Sequence, residues 1–320
     1  MAVYTHVAAE ELARFIDDYD AGSLLSAKGI AEGVENSNYL VETTRDRFIL
    51  TLYEKRVDVA DLPWFMALTT HLAEAGLPVP RPIPDRQGRT LRTLAGRPAC
   101  LIQFLSGVSL STPTPAQARA TGAALGRLHG AGRDFAQPRE NALGPQGWRK
   151  LADSCMDSLD SISPGLAARV TDELDSLAAA WPADLERQVI HADLFPDNVL
   201  MLDDEVTGLI DFYFACTDIR AYDLAITHSA WCFTPDGAMF DKACGDALIA
   251  GYAETHGLTA AEHVALPVLA RGACLRFLLT RAWDWLNTPA DALVTRKDPI
   301  AFLRRLDHYR DAGAAAFPAR

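Results

Sequence analysis

Over the first hundred residues the apolar side chains fall in short runs bounded by turn formers. After an amphipathic helix around Ala8–Tyr19 this pattern predicts strands at Ser23–Ala27, Tyr39–Glu42 and Phe48–Tyr53, the last two joined by a turn at Thr44-Arg-Asp46. A helix opens at Pro63 and runs to about Ala75, where Gly76-Leu-Pro-Val-Pro80 stops it. Two more strands, Thr90–Leu94 and Pro98–Phe104, turn at Ala95-Gly96. Past Gln103-Phe-Leu-Ser-Gly107 the chain becomes mostly helical. Thr114 reads as an N-cap with Pro115 at N1 of a helix reaching about His129. Further helices are predicted over Trp148–Ser161, Leu166–Trp181, Tyr222–Cys232, Phe240–Thr255, Glu262–Trp285 and Pro299–Ala314. The expected class is α+β, with a β-rich lobe at 1–102, a hinge at 103–107 and a helical lobe at 108–320.

One interruption of the helical part carries the chemistry. Gln188-Val-Ile190, Val199-Leu-Met201 and Val206-Thr-Gly-Leu-Ile210 read as short strands, the last two joined by a turn at Asp203-Asp204. His191-Ala-Asp193-Leu-Phe-Pro-Asp197-Asn198 lies between the first two, and Asp211 ends the third, so a hairpin is expected to bring Asn198 and Asp211 side by side. This spacing fits phosphoryl transfer, in which an Asp accepts the proton of the attacking hydroxyl while an Asn five residues on and a later Asp hold Mg²⁺ against nucleotide phosphates. The transition state is loose and its charge sits on oxygens already clamped by metal, so positioning and charge neutralisation do most of the catalysis. Asp193 is basic enough for a proton that leaves late. Asn198 and Asp211 supply the hard oxygen ligands that Mg²⁺ prefers. His191 is expected to brace the loop.

Composition narrows the classes. At 320 residues the chain exceeds the usual single core, and 49% apolar residues with a mean hydropathy near zero support a large one. No stretch approaches the ~18 uninterrupted apolar residues of a membrane span. The start lacks a basic segment followed by an apolar one, so no secretory signal is read and the cytoplasm is the expected location. Six scattered cysteines without a C-x-x-C read as reduced thiols. A net charge of −12 argues against nucleic acid or an anionic membrane as partner, and leaves nucleotide phosphates to local donors. A metal-dependent hydrolase using His191, Asp193 and Asp211 would need further His clusters, which are missing. A non-catalytic kinase-like binding protein usually lacks one of Asp193, Asn198 and Asp211, and here all three are present.

With its small β-rich lobe, hinge, His191-x-Asp193-x₄-Asn198 and Ile210-Asp211-Phe212, the chain resembles the aminoglycoside phosphotransferase and choline kinase superfamily, relatives of protein kinases. Gly29-Ile-Ala-Glu-Gly33-Val-Glu-Asn36-Ser37-Asn38-Tyr39, Phe48-Ile-Leu-Thr-Leu-Tyr-Glu-Lys-Arg56, Gly208-Leu-Ile-Asp211-Phe-Tyr-Phe-Ala215 and Tyr222-Asp223-Leu-Ala-Ile resemble the bacterial homoserine kinase family within it. The resemblance implies a protein-kinase-like two-lobe fold, ATP and Mg²⁺ as cofactors, and L-homoserine as a small-molecule substrate phosphorylated on the way to threonine. Choline, ethanolamine, sugars or aminoglycosides are the alternative acceptors within the superfamily. It also implies that Asp193 is the base, that Asn198 and Asp211 bind metal, that Gly33, Asn36, Ser37 and Asn38 form a loop over the phosphates, and that Gln103 to Leu105 face the adenine. By residue pattern alone the 33–38 segment is equally a plain hairpin connection.

One departure stands out. Relatives carry a Lys or Arg in the middle of the third strand, where this chain has Thr51; Lys28 and Lys55 are the nearby cations, and Asp61 and Glu74 the candidate acidic partners on the following helix. For an acceptor pocket, Asp218, His228, Arg276, Arg281 and Asp284 are candidates, each more often structural. Asp223 is expected to anchor the catalytic loop at a helix start, and Trp231, Trp283 and Trp285 to be core aromatics.

Overall fold

The computed structural model describes residues 5–30, 36–54, 58–288 and 296–318. Two compact units emerge: Met1–Gly107 with Thr207–Tyr213, and Val108–Val206 with Phe214–Arg320. The sequence puts everything beyond 108 in the second unit, but 207–213 groups with the first. The reason is local: Leu209 N–H donates to Pro78 O at 2.8 Å, and the Tyr213 ring packs edge-on against Tyr53 and Phe65.

Unit 1 runs α1 (Ala9–Asp17), β1 (Leu24–Gly29), β2 (Asn36–Thr43), β3 (Arg47–Tyr53), α2 (Leu62–Glu74), β4 (Arg92–Leu94) and β5 (Arg97–Gln103). The strands form one antiparallel sheet in the order β1-β2-β3-β5-β4. Two-residue alternation gives β3 two apolar faces. Phe48, Leu50 and Leu52 join Leu12, Phe15 and Ile16 of α1 in one core; Tyr53 packs with Leu62, Phe65 and Met66 of α2 in another. Thr51 is buried and donates its hydroxyl to Asn38 Oδ1 at 2.8 Å, so the polar group in the middle of β3 is paired within the sheet.

Unit 2 holds α3 (Pro115–Gly132), α4 (Pro145–Asp153), α5 (Leu166–Ala180), β6 (Arg187–Ile190), β7 (Val199–Leu202), β8 (Glu205–Leu209, whose last three residues belong to unit 1), β9 (Cys216–Ile219), α6 (Arg220–Trp231), α7 (Lys242–Thr255), α8 (Ala260–Asn287) and α9 (Ile300–Ala312). β7 pairs with β8, and β6 with β9 antiparallel. The helix expected over Trp148–Ser161 is α4 plus a separate 3₁₀ segment at Met156–Ser161. Ser154 and Cys155 end α4 by bonding the Leu151 carbonyl through their side chains, in competition with the backbone ladder. β9 was not expected: it passes into α6 with no turn residue to mark it.

Every residue of α6 is buried, which makes it the central post of unit 2. α8 is long and apolar enough to cross a membrane by length and composition, but 67% of that window is buried inside the protein. Thr114 and Thr259 close capping boxes with Gln117 and Glu262 at the starts of α3 and α8. All six cysteines are buried thiols.

α3 and α7 approach closely because glycines line their seam. A Cβ on Gly122 would sit 2.0 Å from the Leu248 carbonyl oxygen, and one on Gly251 2.0 Å from that of Arg119. Gly130, on the same helix, has nothing nearer than 3.9 Å. Gly122→Ala should therefore destabilise by about 1–3 kcal/mol through overpacking, whereas Gly130→Ala should be neutral or stabilise by up to about 1 kcal/mol through helix propensity. Thermal unfolding of the two variants decides; equal behaviour would mean that close approach does not hold this seam.

Candidate active site

The loop 191–198 leaves β6 with Ala192 in a left-handed conformation, φ 63°, which few non-glycine residues adopt. What holds it there is Asp223, in the first turn of α6. Its carboxylate accepts the backbone N–H groups of His191 and Ala192, both at 2.7 Å, and faces His129 Nε2 of α3 at 3.0 Å. On the other side Arg276 of α8 donates Nη1 to the Ala192 carbonyl, its guanidinium packed over Phe277 and Phe214.

Asp223 is fully buried. Burial alone would raise its pKa, but the hydrogen bond and charge of His129 and the backbone donor of His191 hold it below the ordinary carboxylate value. The His129 ring lies between this carboxylate and the Tyr252 hydroxyl of α7, with Nε2 facing Asp223 at 3.0 Å and Nδ1 facing Tyr252 at 2.8 Å. The α3–α7 seam thereby sets the geometry of the loop. His191 is buried and accepts Asp193 N–H at Nδ1, 3.2 Å, a bracing role.

Within the loop, Asn198 Nδ2 donates to Asp193 O at 2.7 Å and to Asp193 Oδ2 at 3.1 Å. Trp231, at the end of α6, donates Nε1 to Leu194 O at 2.9 Å. Asp211 follows β8 with φ 65°, a second non-glycine residue in left-handed backbone.

In unit 1 the segment expected as a loop over the phosphates is partly strand. Asn36, Ser37 and Asn38 lie in β2, and Gly33 falls outside the described residues. Their side chains serve the sheet: Asn36 Oδ1 accepts Glu54 N–H, Ser37 Oγ donates to Glu54 Oε1, and Asn38 Oδ1 accepts from Thr51. Cross-strand pairing with Tyr53, Leu52 and Thr51 of β3 extends β2 three residues earlier than the expected Tyr39. Gln103 ends β5, with its N–H given to Arg81 O, and Leu105 follows it half-buried. Lys28 is exposed on β1, and Lys55 lies outside the described residues. The buried face of α2 is Leu62, Phe65, Met66, Leu68, Thr69 and Leu72, with no carboxylate on it; Glu74 pairs outward with Arg81.

A cavity of about 690 Å³ opens in unit 2 beside the loop. Phe195, Pro196 and Asp197 form one side, with Trp231, Arg281 and Arg305 among the rest of its wall. Of the five acceptor-pocket candidates only Arg281 lines it. Asp218 holds Asn141 and the start of α6, Arg276 holds the loop, and Asp284 is not on the wall. His228 is buried against the Tyr309 hydroxyl, its pKa lowered to about 3 by burial and by the charge of His308, so it stays neutral. Trp231 lines the cavity, whereas Trp283 and Trp285 do not. The sequence missed His129, Tyr252 and Arg305, because a polar residue on a buried helix leaves no spacing signal.

A kinase-like fold carrying an Asp-x₄-Asn loop beside a small-molecule cavity is the frame of a phosphotransferase, and the comparisons agree. The sequence matches the phosphotransferase enzyme family over residues 26–258. It is 55% identical to a homoserine kinase of Acidiphilium cryptum, covering 99% of both chains, and 52% identical to one of Rhizobium etli, covering 99% and 98%. Solved structures with this fold include a spectinomycin phosphotransferase (TM-score 0.69, 15% identity, 97% and 95% covered) and a choline kinase of Cryptosporidium parvum (0.67, 15%, 95% of each). The chain belongs to the phosphotransferase enzyme family and, within it, to the homoserine kinases.

Asp223→Asn puts an amide where three donors converge. It should lower stability by about 3 kcal/mol or more, because the buried N–H groups of His191 and Ala192 lose a charged acceptor, and lower kcat with it. Because the folded-state pKa is depressed, this contribution is complete above about pH 4 and is lost as pH falls through the folded value. The wild-type minus variant difference in urea unfolding should thus be flat from pH 5 to 8 and shrink only in stronger acid; a difference already falling at pH 6 would contradict the pairing.

Proposed function

We propose that this protein transfers the γ-phosphoryl group of ATP to the side-chain hydroxyl of L-homoserine, giving O-phosphohomoserine and ADP, with Asp193 as general base. The observation that carries the roles is the hydrogen bond from Asn198 Nδ2 to Asp193 Oδ2, which orients the carboxylate within a loop already clamped by Asp223 and Arg276. As the hydroxyl oxygen bonds to phosphorus, its proton passes to Asp193 and the bond to the ADP oxygen breaks. Since Nδ2 of Asn198 is turned to Asp193, Oδ1 is the atom it offers to a hard cation such as Mg²⁺, and the carboxylate of Asp211 is by its chemistry a ligand of the same hard class. Bound there, Mg²⁺ supplies charge neutralisation on the phosphate oxygens. The homoserine reading is supported by relatives of that name at 52–56% identity over nearly the whole chain.

Asp193→Asn should reduce kcat by about 10²–10⁴-fold, the usual worth of a positioned base, with little change in ATP affinity. Near-normal turnover in the folded variant would remove Asp193 from that role.

Substrate choice has its own test. A pocket that pairs both the ammonium and the carboxylate of homoserine leaves buried charge unmatched when either is missing, so L-homoserine should exceed choline, ethanolamine and simple sugars in kcat/KM by about 10³-fold or more. Equal efficiency with any of them would sink the homoserine assignment and leave the kinase assignment standing.

A further inference from the structure

Four cations line the unit 2 cavity: Lys242, Arg281, Lys297 and Arg305. Three of them are engaged by the protein itself. Lys242 Nζ pairs with Asp246 at 2.6 Å, and Lys297 Nζ with Asp197 at 3.5 Å. Arg305 is 3% exposed and gives Nη1 and Nη2 to the carbonyls of Ser229, Thr234 and Pro235, so its donors fix the chain where it leaves α6.

Arg281 is different. Its guanidinium lies over the Phe302 ring at 4.5 Å, and its Nη1 reaches a backbone carbonyl, that of Asp298, at 3.2 Å. Among the described residues no carboxylate forms an ion pair with it. Burial and the neighbouring charge of Arg305 push it down to about 10, while Asp298, Asp197 and Asp193 act in the opposite sense. It is therefore a cation at neutral pH, partly desolvated and within electrostatic reach of Asp193, and among the described residues it makes no direct ion pair.

We propose that Arg281 receives the carboxylate of the acceptor amino acid and is the residue that separates homoserine from amino alcohols of the same length. A planar guanidinium with one face on an aromatic ring presents its edge, and a carboxylate matches that edge with two parallel hydrogen bonds. Phe195 and Trp231 give apolar wall for the methylenes, and Asp241 and Asp298 line the same space as the ammonium requires. The inference rests on the homoserine reading above.

The test measures kcat/KM of wild type and Arg281→Gln for L-homoserine and for 3-aminopropan-1-ol, which is homoserine without its carboxylate. Wild type should prefer homoserine by about 10³-fold, and the variant should lose about 10²–10³-fold more on homoserine than on the amino alcohol, so that the preference collapses. Arg281→Lys, which keeps the charge but not the fork, should recover part of it. The KM for ATP should move by less than a few-fold. If Arg281 instead served the phosphates or only the fold, both acceptors would fall together and the preference would survive, which overturns the assignment. A wild-type enzyme that ignores homoserine but phosphorylates other alcohols overturns the substrate reading itself, and Arg281 with it.

Discussion

The buried carboxylate of Asp223 is the interaction on which the loop 191–198 depends. Taking a carboxylate out of water costs several kcal/mol, and it is stable there because three donors converge on it, each worth roughly 1.5–3 kcal/mol as a bond to a charged group. Two of these donors are the peptide N–H groups of His191 and Ala192, so the energy that keeps the charge buried also fixes the backbone. Left-handed backbone at Ala192 costs of order 1–3 kcal/mol, and the residue tolerates it because its N–H is held by Asp223 and its C=O by Arg276. The peptide is over-determined from both ends, and Asp193 follows it directly in the chain.

This arrangement explains why helices far from the loop matter to it. His129 is 94 residues from Asp223 and Tyr252 is 123 from His129, yet the three side chains form one chain of hydrogen bonds across α3, α6 and α7. The close approach of α3 and α7 at Gly122 and Gly251 is what lets the tyrosine hydroxyl reach the imidazole. A glycine seam on one side and a buried carboxylate facing an imidazole on the other are parts of the same positioning device.

How much of this could be read from the sequence follows from distance along the chain. The strands around Leu50 and Leu101 and the helix from Thr114 were legible because alternation, caps and prolines are local signals, whereas α8, expected from Glu262, starts two residues earlier behind a Thr259 cap that was not read. The five-residue spacing put Asp193 and Asn198 in one motif, but the hydrogen bond between them was not expected. β9 was not, because Cys216–Ile219 is recognisable only through its partner β6. Asn36 to Asn38 misled for the opposite reason: polar, loop-forming residues were recruited into β2, where cross-strand partners in Thr51 and Glu54 satisfy them. Asp223 was expected as the loop's anchor at a helix start, and is; the long-range contacts of Arg276 and Arg305 have no spacing to betray them.

The same reasoning separates the arginines of unit 2, which composition alone cannot rank. Arg276 and Arg305 are almost fully buried, and each turns its guanidinium to backbone carbonyls, the 192 peptide for one and the 229–235 segment for the other. A guanidinium used in this way is a cross-brace: its charge is stabilised by oriented dipoles and by ring faces, and it has few donors left for a ligand. Arg281 shares the ring face but has a single backbone acceptor, and it lies at the wall of a cavity. A partly desolvated charge gains from each further partner, and a ligand in this cavity can add one to the aspartates whose field already reaches Arg281. A substrate that carries a carboxylate supplies that partner; one that lacks it adds none.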